Sequence, residues 1–430
     1  MVSIAPTLQR IKQDLSAFVP DQLVFQCCLD LGLRWRKRLL DPLTTFHLFV
    51  LQVLAFNTAI THLRHLGGMT ASAAAYCKAR RRLPLALLQH LLGKAADAMV
   101  GQLPSGNWCG LRPFLIDCSS TITPDTPALD KFFGHPTGQK KGCGFPVAKV
   151  LGVFDAFSGL MVRTLCFALF VHEMSRAAQV HPLLGVGDVL VGDRGFCSYV
   201  HLALLHIRKV AAVFRLHARR RESDWRCGRT IRRLGRDDRI VRWEKPTKPP
   251  VWMSQEQFEQ LPQTLELRLV RYRLPAEKGR RTRQVIVATT LLDPLAYPAA
   301  KLAELYGVRW RSETHFAQLK TLLKMRKLKC QSVEGVQKEL AIYCLVYNLV
   351  HMIMLKAARR QGVTPDRIGF LDALRWLLCA APGQELRDLV INPLRPGRHE
   401  PRVIKDLQDT YRKMTRSRAY LRTHQALTKR

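Results

Sequence analysis

The chain of 430 residues is long enough for about two or three domains, and its 47% hydrophobic content is that of a globular protein rather than a disordered one. Sixty-eight Lys and Arg against 33 Asp and Glu give a formal net charge of +35, and the excess runs along the whole length. A charge of this size favours a polyanionic partner, above all nucleic acid, and predicts binding that weakens with added salt.

The cysteine pattern and the apolar runs argue against several other classes of protein. The twelve cysteines have no regular spacing and no Cys-x-x-Cys, which indicates buried thiols in a reducing compartment rather than disulfides or a zinc site. Residues 1–15 lack the apolar stretch of a secretion signal. The longest apolar runs, Phe46–Ile60 and Leu340–Leu355, are too short to span a membrane. We therefore predict a cytoplasmic protein without a membrane partner, in which these runs are core helices.

Residues 1–110 have a helical pattern. Asp41-Pro42 is a good N-cap and first-turn pair, and Thr70 is predicted to cap a later short helix with a basic end. The basic residues at that end are Lys78, Arg80, Arg81 and Arg82. Short helices with a basic junction suit contact with the DNA backbone, as in helix-turn-helix-like modules. The alternative is a plain helical bundle with basic residues facing solvent.

Residues 111–218 alternate between strands and helices. The strands are predicted at Phe114–Asp117, Val147–Phe154, Leu160–Val171, Val189–Asp193 and Ala211–Leu216, and the helices at Met174–Leu184 and Val200–Lys209. This order is typical of an α/β RNase H-like mixed sheet, so we predict the first part of a catalytic core here.

The remainder of the chain divides into three regions. Residues 219–292 are Arg-rich and strand-like, with a hairpin predicted from Leu265–Leu274 and Arg283–Leu291, and indicate a β-rich insertion. Residues 293–362 return to a helical pattern and form the second part of the core, and residues 363–430 are a basic C-terminal region with helical character. Three tryptophans of the insertion, Trp225, Trp243 and Trp252, either pack in a core or stack on an unpaired base.

Three carboxylates are candidate metal ligands. Asp117 and Asp193 each end a short apolar strand, and Glu313 lies on a later helix, so the three can meet at one edge of a sheet. Crowded carboxylates repel unless divalent cations lie between them, and two such ions suit in-line phosphoryl transfer. The alternative for each aspartate is a turn or cap residue, and Asp125 and Asp130 are rival candidates in a loop.

The helix that contains Glu313 has an unusual polar face. At about 100° per residue, Tyr306, Arg309, Glu313 and Lys320 fall within roughly 60° of one another. Two cations and a phenol beside a carboxylate suit a metal ligand next to a phosphodiester, whereas the alternative is a solvated face with an Arg309–Glu313 pair. We predict that the nearby Trp310 has only a packing role.

The spacing Tyr-x₂-Arg-x₃-Glu-x₆-Lys, together with two strand-ending aspartates, resembles the signature of the insertion sequence 4 family of DDE transposases. Asp117 and Asp193 resemble the first two catalytic aspartates of that family, Glu313 the glutamate, and residues 219–292 its β-rich insert. Cys118 stands where many relatives have a small residue such as glycine. The resemblance covers roughly residues 110–355.

The resemblance implies cut-and-paste transposition. Two Mg²⁺ ions, which Mn²⁺ can replace, would be held by Asp117, Asp193 and Glu313, while Tyr306, Arg309 and Lys320 contact DNA phosphates. The implied partners are double-stranded DNA, both transposon terminal repeats and target DNA, and a second copy of the chain in a synaptic homodimer. The implied location is the bacterial cytoplasm, at the nucleoid when DNA is bound.

Two other functions fit the same residues. A metal-dependent nuclease without strand transfer would use the same three carboxylates. A non-catalytic, transposase-derived DNA-binding protein would have no need of all three, so their presence argues against it.

Overall fold

The computed structural model describes residues 15–16, 19–36, 38–68, 70–101, 107–137, 140, 143–216, 228–273, 284–394 and 416–425. Trp225 and most of the basic residues predicted in the C-terminal region lie outside this part of the chain.

Among the described residues, five helices with defined bounds precede the sheet. They are α1 (Asp21–Asp30), α2 (Pro42–Leu54), α3 (Ile60–Gly67), α4 (Ala73–Arg82) and α5 (Leu85–Gly101). Asp41 caps α2 as predicted, since its side chain accepts a hydrogen bond from the Thr44 amide at 2.7 Å. The prediction for Thr70 is wrong: the cap of α4 is Ser72, which accepts from the Ala75 amide. Both residues are good caps by type, and the sequence alone did not separate two caps so close together.

In the part of the chain that the structure describes, nine strands form one mixed sheet. They are β1 (Arg112–Ile122), β2 (Val147–Asp155), β3 (Met161–Ala168), β4 (Asp188–Gly192), β5 (Ala211–Arg215), β6 (Arg229–Gly235), β7 (Asp238–Glu244), β8 (Thr264–Arg273) and β9 (Gln284–Thr289). Their order across the sheet is β3-β2-β1-β4-β5-β9-β8-β7-β6. β2 pairs antiparallel with both β1 and β3, and β4 and β5 run parallel to β1. The remaining pairs, β5–β9, β9–β8, β8–β7 and β7–β6, are all antiparallel. The strands of the predicted insertion therefore extend the same sheet.

Short helices connect these strands. They are α6 (Pro127–Phe133), α7 (Glu173–Ala177), α8 (Tyr199–Ile207) and α9 (Gln255–Glu259). α7 is shorter than the helix predicted for residues 174–184, because the chain turns at its end and forms only a 3₁₀ turn, His181–Leu183. Ser198 caps α8 by accepting from the His201 amide, which starts this helix soon after β4.

The second helical region follows β9. It contains α10 (Ala299–Val308), α11 (Trp310–Ala317), a π-helical turn (Gln318–Leu322), α12 (Val333–Gln361), α13 (Phe370–Cys379) and α14 (Arg418–Gln425). α12 is apolar and long enough to cross a membrane, yet 94% of its apolar window is buried inside the protein. It packs against α2, α5 and α13, which is the arrangement of a core helix.

Alternate residues of β1 face two different apolar layers. Leu115 lies in the layer that contains the N-terminal helices and α10 to α12, whereas Phe114 and Ile116 lie in the layer that contains α7 and α8. Asp117 is two residues beyond Leu115 and therefore faces the side of α10 to α12. The alternation of β1 thus directs this carboxylate toward the helix that carries Glu313.

Candidate active site

An open cavity of about 660 Å³ lies at the ends of the central strands. Its walls include all six residues that the sequence singled out: Asp117, Asp193, Tyr306, Arg309, Glu313 and Lys320. Asp125, Asp130 and Asp155 do not line it. Asp130 instead pairs with His135 at 2.9 Å, and Asp155 accepts hydrogen bonds from the amide and hydroxyl of Ser158 in its turn.

The register of two parallel strands brings Asp117 and Asp193 together. Ile116 of β1 pairs with Gly192 of β4, so the residue that follows each of them is an aspartate at the same level of the sheet. Neighbours in a parallel pair face the same side, which places both carboxylates on the cavity. Burial is the largest cause of the raised pKa of Asp117, and the negative charge of Asp193 adds to it.

Asp117 is partly buried, and both of its oxygens accept hydrogen bonds. The Cys118 amide donates to Oδ1 at 2.8 Å and the Ser312 hydroxyl donates to Oδ2 at 2.6 Å. Burial is the main cause that raises its pKa above the ordinary value, and these two hydrogen bonds oppose the rise. A divalent cation would oppose it further, because it favours the ionised carboxylate.

Asp193 is held by the turn that follows β4. The Gly195 amide donates to its Oδ1 at 2.8 Å, and no hydrogen bond to Oδ2 occurs within the described residues. A Cβ on residue 195 would lie 3.0 Å from Oδ1, so glycine permits this close approach of backbone and carboxylate. Oδ2 is therefore available to a ligand in the cavity.

Glu313 lines the same cavity, but its carboxylate forms an ion pair with the guanidinium of Arg309. Its Oε1 lies 3.2 Å from Nη2 of Arg309, and its side chain is 52% exposed. Within the described residues, no three His, Cys, Asp or Glu side chains are grouped closely enough to form a ready metal site. The donor set consists only of carboxylates on one cavity, which is the chemistry that a hard cation such as Mg²⁺ prefers, so the residues fit such an ion.

The other residues of the signature surround the carboxylates. Arg309 is buried, with its guanidinium 4.6 Å from the Trp310 ring centre and 5.8 Å from that of Tyr306. Tyr306 is also buried, and burial raises its phenol pKa. The Lys320 ammonium donates to the Ser119 hydroxyl at 3.1 Å, and its pKa is lowered by burial and by the positive charge of Arg326.

The helix through these residues is less regular than the spacing alone predicts. α10 and α11 meet at Arg309, and the π-helical turn Gln318–Leu322 contains Lys320. Single π turns within helices occur often at functional sites, because the extra residue redirects the side chains around it. The assignment of Trp310 to packing is wrong, since this ring is 50% exposed on the cavity wall.

The cavity residues that were not singled out from the sequence include three arginines and a tyrosine: Arg194, Arg215, Arg326 and Tyr272. Arg215 ends β5, the parallel neighbour of β4, so the strand-end argument used for the aspartates would also have found it. Tyr272 comes from β8, which reaches the cavity only because β9 pairs with β5. That contact depends on how the insertion joins the sheet, and no local pattern reports it.

The tryptophans of the insertion differ in their surroundings. Trp243 is 1% exposed and lies in the apolar layer with α8, which confirms the core-packing alternative for this residue. Trp252 is partly buried and stacks on His201 with the ring centres 5.4 Å apart. Neither lines the cavity.

Comparison with known proteins gave three findings. The family model described as "Transposase DDE domain" matches residues 108–349, a range that contains Asp117, Asp193 and Glu313. Transposase InsG for insertion sequence element IS4 of Escherichia coli (strain K12) is 26% identical over 354 residues, which cover 77% of this chain and 76% of that protein. A piggyBac transposase, solved by cryo-EM as a synaptic complex with hairpin DNA, gives a TM-score of 0.49 at 11% identity over 85% of this chain and 78% of that chain.

Proposed function

The chain belongs to the transposase DDE domain family, and on that premise we propose that Asp117, Asp193 and Glu313 are its catalytic carboxylates. The protein is a DDE transposase of the insertion sequence 4 type, an enzyme of metal-dependent DNA cleavage and strand transfer. The observation that carries the assignment of residues is the β1–β4 register, which sets Asp117 beside Asp193 on the cavity that Glu313 also lines.

DDE transposases use divalent ions, generally Mg²⁺, and the three carboxylates are the residues that would hold them here. We propose two ions, with Mn²⁺ able to replace Mg²⁺. When bound, such ions activate the attacking oxygen and stabilise the leaving oxygen of the phosphodiester. The chain's own part is to hold Asp117 and Asp193 in fixed orientations through the Ser312, Cys118 and Gly195 donors.

The cations of the cavity are proposed to position the DNA backbone. Lys320 and Arg309 stand on either side of Glu313 in the sequence, and both line the cavity. A guanidinium and an ammonium beside the carboxylates would neutralise the phosphates next to the cleaved bond. Tyr306 lies under the Arg309 guanidinium and contributes a phenol to the same wall. These three residues are therefore our candidates for DNA contacts near the element's end.

A second basic cleft supports the proposal that residues 1–110 bind DNA. A cavity of about 460 Å³ is lined by Trp35 and by four exposed arginines, Arg34, Arg36, Arg38 and Arg82, and by no carboxylate. The guanidinium groups of these arginines make no hydrogen bond or ion pair to another described residue. Unpaired cations around an aromatic ring suit a phosphate backbone, which is the partner that the net charge favours.

The other parts of the domain plan stand as proposals. An RNase H-like core made of residues 111–218 and 293–362 is supported by the strand order β3-β2-β1-β4-β5, in which β1 is antiparallel to β2 and parallel to β4. Residues 219–292 would be the insertion, and residues 363–430 a further basic region. We propose terminal repeats and target DNA as the double-stranded partners, a homodimer in the synaptic complex, and the bacterial cytoplasm and its nucleoid as the location.

The test is an excision and joining assay on the native element ends, with Mg²⁺ present or absent. Asp117→Asn, Asp193→Asn and Glu313→Gln should each reduce cleavage below detection and leave metal-free DNA binding intact, because they remove a ligand charge while keeping side-chain size. Asp125→Asn is the matched control and should cleave like the unaltered chain. Retained cleavage in any of the three variants would contradict its assignment. Cleavage without joined product would indicate a nuclease instead of a transposase.

A further inference from the structure

We infer that Ser312 is a positioning residue that sets the orientation of Asp117 and thereby the affinity of the site for its divalent ion. The inference rests on the proposed function, because it assumes that Asp117 is a metal ligand. Ser312 precedes Glu313 on α11, so one residue of this helix would orient the first carboxylate while the next supplies the third.

The hydrogen bond between these two residues is short and shielded from water. Ser312 is 0% exposed, and its Oγ lies 2.6 Å from Oδ2 of Asp117 and 2.8 Å from the Arg309 carbonyl oxygen. An ionised carboxylate and a carbonyl can only accept, so the single hydroxyl proton serves one of them. The shorter contact is to the charged acceptor, which makes the stronger hydrogen bond.

The bond fixes the carboxylate plane because it acts together with a second donor. Cys118 N holds Oδ1 from the strand, and Ser312 holds Oδ2 from the helix, so rotation of the carboxyl group would break one bond or the other. A carboxylate offers about four lone-pair sites, so each oxygen keeps one for an ion in the cavity. Loss of the Ser312 bond would leave Oδ2 buried with one partner fewer and the plane free to turn.

The same bond joins two elements that must stay in register for the site to work. β1 carries Asp117 and α11 carries Glu313, and they are far apart in sequence. Lys320 makes a second bond of this kind to Ser119, two residues after Asp117. Polar residues that orient metal ligands in this way typically contribute about 10- to 100-fold to metal affinity or activity.

The experiment measures Mn²⁺ binding to the full-length protein by electron paramagnetic resonance, in the absence of DNA. Ser312→Ala should weaken binding about tenfold or more. Thr314→Ala removes an exposed hydroxyl two residues further along α11 and should bind Mn²⁺ like the unaltered chain. Thermal unfolding without metal, and metal-free DNA binding, should be nearly the same for the three proteins.

A conservative variant separates the hydrogen bond from packing. Ser312→Thr keeps the hydroxyl and should restore most of the Mn²⁺ affinity. Equal losses in Ser312→Ala and Ser312→Thr would mean that packing sets the affinity, and an unchanged affinity in Ser312→Ala would mean that the bond does not matter. Either result overturns the inference.

Asp117→Asn serves as the reference for the proposed function. If Mn²⁺ binding by the unaltered chain does not depend on Asp117, the proposed metal site fails, and the role of Ser312 fails with it. If binding depends on Asp117 but not on Ser312, only the positioning role is lost.

Discussion

Two buried histidines show what burial does to a single side chain in this protein. His201 Nε2 lies 2.7 Å from the Met174 carbonyl oxygen, which only accepts, so Nε2 carries the proton and Nδ1 accepts from His181 Nε2 at 3.3 Å. Burial lowers the pKa of His201 to about 4 and that of His181 to about 3, and the charge of His201 lowers the pKa of His181 further. Both are therefore neutral in the folded protein at neutral pH.

This neutrality predicts instability in mild acid. The ordinary histidine pKa is 6.5, so from there down to about pH 4 the unfolded chain binds a proton at residue 201 that the folded chain does not. The free energy of unfolding should decrease as the pH is lowered across this window, by about 1.4 kcal/mol per pH unit for each such histidine. His201→Gln cannot titrate, so it should flatten this dependence, measured by urea unfolding between pH 7 and 4.

The control is His206→Gln on the same helix, where the side chain is exposed. It should leave the pH dependence as it is in the unaltered chain. An equally steep fall in the His201→Gln variant would show that other groups cause the acid sensitivity.

At the scale of elements, the sequence predicts those strands and helix faces whose pattern lies within a single segment of the chain. The apolar runs before Asp117 and Asp193 identify two buried strands and the carboxylates at their ends, and the register of β1 and β4 turns these ends into neighbours. The helical spacing around Glu313 likewise identifies a face. Each of these signals lies within a few residues of the side chain concerned.

What the sequence could not supply depends on contacts between distant segments. The bond from Ser312 to Asp117 joins residues 195 apart, and nothing around Ser312 distinguishes it from another small helix residue. The sequence predicts the ion pair of Glu313 with Arg309 as an alternative to metal binding by Glu313. Which of the two roles Glu313 takes depends on the charges that the cavity contains. The exposure of Trp310 depends on the same packing.

One buried glutamate ties the N-terminal helices to the second helical region. Oε1 of Glu339, on α12, accepts from Nδ2 of Asn57 at 2.6 Å, and its two oxygens also accept from the Lys329 and Cys330 amides. Asn57 lies between α2 and α3, and its carbonyl oxygen accepts from the Lys329 ammonium. A single carboxylate thus satisfies donors from two regions of the chain.

Replacing this carboxylate should destabilise the contact. Glu339→Gln substitutes an NH₂ group for one acceptor, so at least one buried amide loses its partner, and we expect a loss of about 3 kcal/mol of unfolding free energy. Urea unfolding followed by tryptophan fluorescence measures it. Glu385→Gln, at an exposed glutamate, should change stability by less than about 0.5 kcal/mol. A similar small effect for Glu339→Gln would mean that apolar packing alone joins the two regions.

For the molecule as a whole, the net charge and the position of the arginine-lined cleft make different predictions about DNA binding. The formal charge of +35 attracts any polyanion, and its effect depends only on how many charges are present. The cleft lined by Arg36 and Arg82 has a definite position, and its arginines have no acidic partner among the described residues. By contrast, Arg242 pairs with Glu266 at 3.1 Å on the far side of the sheet.

Two double variants separate these effects because each removes two positive charges. Arg36→Ala with Arg82→Ala should weaken binding to the element ends and reduce the slope of log affinity against log salt by about two, since each lost phosphate contact releases about one counterion fewer. Arg242→Ala with Arg271→Ala removes cations already paired with Glu266 and Asp237, so it should leave the slope nearly unchanged. Fluorescence anisotropy across a range of NaCl concentrations measures both. Equal slopes would mean that net charge, and not the cleft, attracts the DNA.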